Sequence, residues 1–316
     1  MAGGRDRGAS GGVAWPMKVV VTGAGGQVGH DLIEALEGRA ESAASAESVL
    51  GPWGAGSARP EVVAADRGVL DVTDRDRVMR FLVEVRPDVV VHAAAWTDVD
   101  GCEVNPDRAF AVNALGTRNV AEAANEVGAH VCYISTDYVF DGRSERPYVE
   151  WDEPNPISVY GRSKLGGERE LFPGSTIVRT SWVCGASGRN IVRTVLARAT
   201  TPAAMAFVDD QHGCPTFAED LSQVVARLAA ERRPGTFHVT NQGPTTWYGF
   251  ARAILEAAGL DPDLVKPIST SELDPPRPAP RPMFSVLDNA SLRLSGIGLL
   301  ADWHEPLARL VRVLTR

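Results

Sequence analysis

The segment Gly23-Ala24-Gly25-Gly26-Gln27-Val28-Gly29 constrains the fold of this 316-residue chain more than any other stretch. It directly follows an apolar run at residues 17–21, in which Lys18-Val19-Val20-Val21 reads as a buried parallel strand. From Val28 onward the positions Asp31, Leu32, Ile33 and Leu36 fit one helix. Strand, glycine-rich turn and helix together make a phosphate cradle. Glycine permits the tight turn and the close approach of backbone N–H groups, and the helix N-terminus favours negative charge. Gly23, Gly26 and Gly29 are therefore predicted to sit against a dinucleotide.

The chain then alternates between the two periods. Residues 61–65 (Glu61-Val62-Val63-Ala64-Ala65) read as a second strand that ends at Asp66-Arg67. An acid there suits a ribose 2′-hydroxyl and an arginine suits a 2′-phosphate; both are present, so the sequence leaves NADH and NADPH open. Thr73 and Asp74 cap a helix running to Val85. Residues 89–94 form a third strand, where His92 reads as a packed, hydrogen-bonded histidine rather than a catalytic one. Asn105-Pro106 starts a long helix that stops at Gly128, with Phe110, Val112, Leu115 and Val120 expected to face the sheet. The strand at 131–135 delivers Thr136 and Asp137 at its carboxyl end, where ligands bind in open α/β sheets. Another strand follows at 177–180. This alternation predicts an α/β fold with a doubly wound, Rossmann-type parallel sheet.

Beyond Trp182 the pattern loosens into a smaller mixed α/β part. Short strands near 205–208 and 236–239 alternate with helices near 219–230 and 246–258. A proline-dense segment at 274–282 must be extended, and a final helix covers 302–314. The expected organisation is a dinucleotide-binding domain from 17–180 and 218–243, with a second, substrate-binding domain from 181–217 and 244–316. Residues 38–60, rich in Ala, Ser, Gly and Glu, read as a surface insertion, and residues 1–16 as a disordered extension.

Tyr160 and Lys164 are four residues apart, so one helix face brings both to the same place. A phenol titrates near pH 10, and a neighbouring cation favours its ionised form. Lys164 is therefore expected to tune Tyr160 as an acid–base group, with Thr136 holding the substrate oxygen from a strand end. A dehydratase would need an extra acid and base, and after Thr136 only Asp137 offers a carboxylate, with no glutamate following.

Composition narrows the class. Hydrophobic residues make up 44% and charged residues 23%, ordinary for a globular protein, and the net charge of −8 argues against a general nucleic-acid binder. No segment has the apolar length of a bilayer span. The four cysteines (Cys102, Cys132, Cys184 and Cys214) lack C-x-x-C spacing, and unpaired core thiols point to the cytoplasm.

With these residues in place the chain resembles the extended short-chain dehydrogenase/reductases, and within them the dTDP-4-dehydrorhamnose reductase family. The pieces that carry the resemblance are GAGGQVG, AAAWTDVDGCE around residues 98–103, STDYVF, VYGRSK, RTSWV, DDQHGCPT and PAPRP. It implies a catalytic set of Thr136, Tyr160 and Lys164, the last two also binding the cofactor. It implies that Gly26, Gln27 and Val28 hold the pyrophosphate of NADPH or NADH. Asp66, Asp71 and Val72 would lie near the adenosine, and Ala95, Trp96 and Thr97 would line the cleft. Thr136, Asp137 and Trp182 would contact a dTDP-sugar. Some members bind Mg²⁺ at a dimer contact through glutamates. The sequence offers no carboxylate cluster to carry that over, so Mg²⁺ and a homodimer both stay open. The implied activity is reduction of the C4 ketone of dTDP-4-dehydro-L-rhamnose. The readings left beside it are a 4-ketoreductase of another dTDP-deoxysugar and a non-catalytic nucleotide-binding subunit.

Overall fold

The computed structural model describes residues 17–38, 59–201 and 204–316. The expectations for residues 1–16 and for most of 38–60 lie outside the described residues.

The central sheet is built from β1 (Lys18–Thr22), β2 (Glu61–Ala65), β3 (Val89–His92), β4 (His130–Thr136), β5 (Thr176–Thr180) and β6 (Gly235–His238). Its order is β6-β5-β4-β3-β1-β2, and every pairing is parallel. The order reverses between β1 and β3, and that switch point opens a crevice at the carboxyl ends of the strands. Successive strand residues point to opposite faces, and both faces are covered. Val19, Val21, Val89 and Val91 pack with α1 (Gln27–Leu36), whereas Val20, Val90 and Val131 pack with α2 (Arg75–Val85) and α3 (Gly116–Val127). This two-sided burial explains the uninterrupted valine runs. On the α1 side the layer is completed by α5 (Ala218–Ala230), and α4 (Val159–Arg169) lies beside β4.

Local signals set the boundaries. Asp74 caps α2 by accepting from the Arg77 amide at 3.0 Å, and Asn105 accepts from the Arg108 amide at 3.2 Å ahead of Pro106. The helix begun at Pro106 contains a π-turn at Ala111–Leu115 before α3, which ends at Gly128 with φ 72°. That turn overturns one expectation. Phe110 and Leu115 are exposed rather than sheet-facing, because the wider turn breaks the 3.6-residue phase; Val120 keeps its place in the core.

The remaining chain supplies a second cluster. It is centred on α6 (Trp247–Ala257) and α7 (His304–Leu314), with Val192 and Val195 from the helix Ile191–Arg198. Met205–Val208 pairs with Val265–Ile268 in parallel at its edge. The DDQH stretch serves this part structurally. Asp209 accepts from the Thr246 hydroxyl at 2.6 Å, and Asp210 accepts from both the amide and the hydroxyl of Thr270 at 2.7 Å.

Candidate active site

A cavity of about 460 Å³ opens at the switch point, lined by Gly23, Gly25 and Gly26, by Asp66, Arg67, Asp71 and Val72, and by Ala95 and Trp96. Gly26 caps α1 without a side-chain hydrogen bond, so the helix N-terminus offers its amides to an anion. A Cβ on Gly29 would stand 2.2 Å from the Gly23 carbonyl, so the closed turn requires glycine there. Loop, helix end and cavity fit a dinucleotide pyrophosphate.

Other predicted cofactor residues take more specific roles. The Gln27 amide nitrogen donates to the Val183 carbonyl at 2.8 Å, and its oxygen accepts from Asn190 at 3.1 Å. The side chain thus ties the glycine turn to residues 183–190, and only the backbone of Gln27 is free for phosphate. Val28, in the first turn of α1, packs against the core. Asp66 closes its own turn by accepting from the Val69 amide at 3.0 Å. Arg67 is open to solvent, with Nε 3.6 Å from Asp71. The Thr73 hydroxyl and amide hydrogen-bond Asp71 and hold its carboxyl below the usual range. Thr97 is exposed and stands outside the cavity lining. Arg108, which carried no sequence signal, lines the cavity with its guanidinium 4.2 Å from the Trp96 ring centre.

Thr136, Tyr160 and Lys164 are brought together and buried. Thr136 is the last residue of β4, while Ser158 caps α4 by accepting from the Gly161 amide at 3.1 Å. A Cβ on Gly161 would lie 2.1 Å from the Tyr138 carbonyl, so glycine lets this helix approach the turn after β4. The Tyr160 phenol faces the Thr136 side chain, whose influence lowers its pKa. The Lys164 ammonium donates to the Ile134 carbonyl at 2.7 Å and lies 4.0 Å from the Tyr133 ring centre. Asn113, on the π-turn, donates to the Trp96 carbonyl at 3.0 Å and to the Ser163 hydroxyl at 2.9 Å. It also accepts from the Trp96 amide at 2.8 Å, so one buried side chain joins the cavity wall to the helix that carries Tyr160 and Lys164. A lone asparagine in an apolar helical stripe was the available signal for it.

Burial pushes the Tyr160 phenol up, with the Thr136 hydrogen bond opposing, so this tyrosine rests as a protonated acid. Burial likewise lowers the Lys164 ammonium to about 7, against the raising influence of Glu168. His92 is packed as expected. Its ring nitrogens meet the Thr22 and Thr117 hydroxyls at 2.7 and 3.1 Å, and burial lowers it to about 3.

One family description spans most of the chain. The model of the RmlD substrate binding domain matches residues 17–316. A dTDP-4-dehydrorhamnose reductase of Streptomyces griseus is 40% identical over 297 residues, covering 91% of each chain.

The chain belongs to the dTDP-4-dehydrorhamnose reductase family.

Solved structures agree. A dTDP-4-dehydrorhamnose reductase of Clostridium acetobutylicum superposes with a TM-score of 0.86 at 40% identity, covering 95% of this chain and all of that one. One from Bacillus anthracis, solved in complex with NADP, superposes at 0.83 with 35% identity, covering 94% and 99%.

The family motifs outside the catalytic set acquire physical meaning here. Arg281 of PAPRP makes a bidentate pair with Asp100 of the TDVDGCE motif at 2.6 and 2.7 Å, and this pairing holds the Asp100 carboxyl below its usual range. The Ala279 amide also donates to Asp100 at 3.1 Å, so two distant motifs are halves of one clasp beside Tyr138 and Tyr160. Trp182 has φ 45° and stacks on Trp247 at 3.7 Å, an aromatic partner the sequence did not reveal. Asp137 is buried, with one carboxylate oxygen accepting from Thr136 at 3.0 Å and the other from Ser285 at 2.5 Å. The cysteines are free and buried. Among the described residues no group of three or more His, Cys, Asp or Glu could hold a metal ion, and no helix is long and apolar enough to cross a membrane.

Proposed function

We propose that this chain is an NADPH-dependent reductase of the C4 ketone of a dTDP-4-keto-6-deoxysugar, with dTDP-4-dehydro-L-rhamnose as substrate. The observation that carries the reading is the buried Thr136–Tyr160 contact beside Lys164, at the mouth of a cleft with an uncapped helix N-terminus. The bound reduced nicotinamide supplies the hydride for the sugar carbon. Tyr160, held protonated by burial, supplies the proton to the forming alkoxide, while Thr136 orients the carbonyl oxygen. Lys164, perched near its own titration point, holds a donor beneath the phenol and binds the nicotinamide ribose. Backbone amides at Gly25 to Val28 take the pyrophosphate, and Arg67 at the rim favours a 2′-phosphate over a bare hydroxyl. Trp182 contacts the sugar nucleotide from the part of the chain after β5. NADH is accepted as the weaker cofactor. Four free, buried thiols support the cytoplasm as the working compartment.

The test is an absorbance assay of NADPH with a panel of dTDP-4-keto sugars. Oxidation is expected with dTDP-4-dehydro-L-rhamnose and weaker oxidation with other C4 ketones. A preference for another sugar would correct the substrate, and no oxidation with any would overturn the reading.

A further inference from the structure

The glycine turn that receives the pyrophosphate brings no cation of its own. Residues 23–29 contain neither lysine nor arginine, and a helix N-terminus offers only about half a unit of positive charge to the doubly charged pyrophosphate. The Gln27 side chain is already tied to Val183 and Asn190. Full positive charge must therefore come from the cavity walls, which carry Arg67 and Arg108. The turn follows β1, which lies between β2 and β3 in the sheet. Arg67 stands after β2, with its Nε 3.6 Å from Asp71. Arg108 belongs to the opposite wall, on the β3 side.

Close contacts fix that wall against the turn. A Cβ on Gly23 would stand 2.7 Å from the Ala94 amide nitrogen, so the turn rests directly on the chain leaving β3, just before Trp96. Trp96 is itself held. Asn113 hydrogen-bonds both its amide and its carbonyl, at 2.8 and 3.0 Å. A Cβ on Gly101 would lie 2.9 Å from the indole, so glycine makes the seat for the ring. Arg108, from the short helix Pro106–Phe110, then places its guanidinium 4.2 Å from the ring centre. Its side chain is exposed, and among the described residues no carboxylate pairs with it. The ring attracts the cation without neutralising it, so its charge and its N–H donors stay available to an oxyanion. Holding a long side chain in place beforehand also lowers the entropy lost when a ligand binds.

We infer that Arg108 is a pyrophosphate-binding residue, a cation preset on Trp96 that closes the cavity from the β3 side. The inference rests on the reading of this cleft as the dinucleotide site. Arg67, across the turn on the β2 side, serves the adenosine ribose. Arg108 thus holds what NADH and NADPH share, and Arg67 reads what distinguishes them. A group that binds the shared pyrophosphate contributes equally to both cofactors, so its loss weakens both by the same factor. Removing its charge also flattens the dependence of binding on ionic strength. Lysine keeps the charge but is a compact ammonium without the planar fork, so it restores the salt dependence and only part of the affinity.

The test uses the full chain as wild type, Arg108→Ala and Arg108→Lys, titrated with NADPH and with NADH at low and high salt. Binding is read from the fluorescence of the reduced nicotinamide. Arg108→Ala is expected to weaken both cofactors by the same factor of about ten, the scale of one hydrogen bond to a charged group, and to flatten the salt dependence. Arg108→Lys is expected to recover that dependence. Because the side chain is exposed, melting temperatures should match wild type, which shows that a weakened variant is folded. A loss confined to NADPH would assign Arg108 to the 2′-phosphate, and unchanged affinity for both would leave it a surface stack; either result overturns the inference. An Arg108→Lys variant as indifferent to salt as Arg108→Ala would overturn it too. Wild type that binds neither cofactor would instead overturn the dinucleotide reading of the cleft.

Discussion

At Tyr160 the burial that keeps the phenol protonated is also what makes it useful as an acid in a reduction. Tyr160→Phe is expected to bind NADPH normally, by fluorescence titration, and to lose at least about a hundredfold in kcat. Lys164 shows the opposite balance. Its folded pKa of about 7 lies below the ordinary lysine value of 10.5, so between those pH values the unfolded chain binds the extra proton. Stability therefore rises with pH across that window, and the full cost of the buried ammonium is present below it. Lys164→Met should melt higher than wild type near pH 7, with the gain shrinking toward pH 10, while kcat and cofactor affinity both fall. A lower melting temperature across that window would show that the hydrogen bond to Ile134 outweighs the burial cost. Arg67, solvent-open at the cleft rim, bears on cofactor choice. Arg67→Ala is expected to raise the KM for NADPH several-fold and leave that for NADH near its starting value; an equal change in both would place the choice elsewhere.

Among the elements, those with strong local signals were legible: the valine strands, the capped helices, the glycine turn and the Tyr160–Lys164 face. What the sequence concealed depends on contacts between elements. The π-turn at Ala111–Leu115 reverses the facing of Phe110 and Leu115 because one wider turn breaks helical phase, and no local propensity announces it. The same turn places Asn113 between Trp96 and Ser163. Likewise, proline density marks 274–282 as extended but does not reveal that Arg281 clasps Asp100 across the site. Arg281→Ala removes a bidentate pair whose guanidinium is almost fully buried. It is expected to raise the KM for the sugar nucleotide about tenfold, the scale of charged hydrogen bonds, with little change for NADPH. A change confined to the NADPH KM would mean that the clasp serves the cofactor instead.

For the whole molecule, one parallel sheet gathers at its switch point groups that lie far apart in the chain, from Gly23 to Ser285. That Thr136, Tyr160 and Lys164 come together was readable because they lie on neighbouring elements with a fixed spacing. Ser285 and Trp247 were not, since each reaches its partner only through the packing of the C-terminal part. The central claim is that hydride passes once, from cofactor to sugar C4, with Tyr160 closing the reaction. Its most direct test is turnover of dTDP-4-dehydro-L-rhamnose with NADPH deuterated at the transferred position, followed by absorbance and mass spectrometry together. One NADPH oxidised per sugar reduced, with one deuterium at C4 of the product, is the predicted result. Sugar conversion without loss of NADPH, or product free of deuterium, would contradict it.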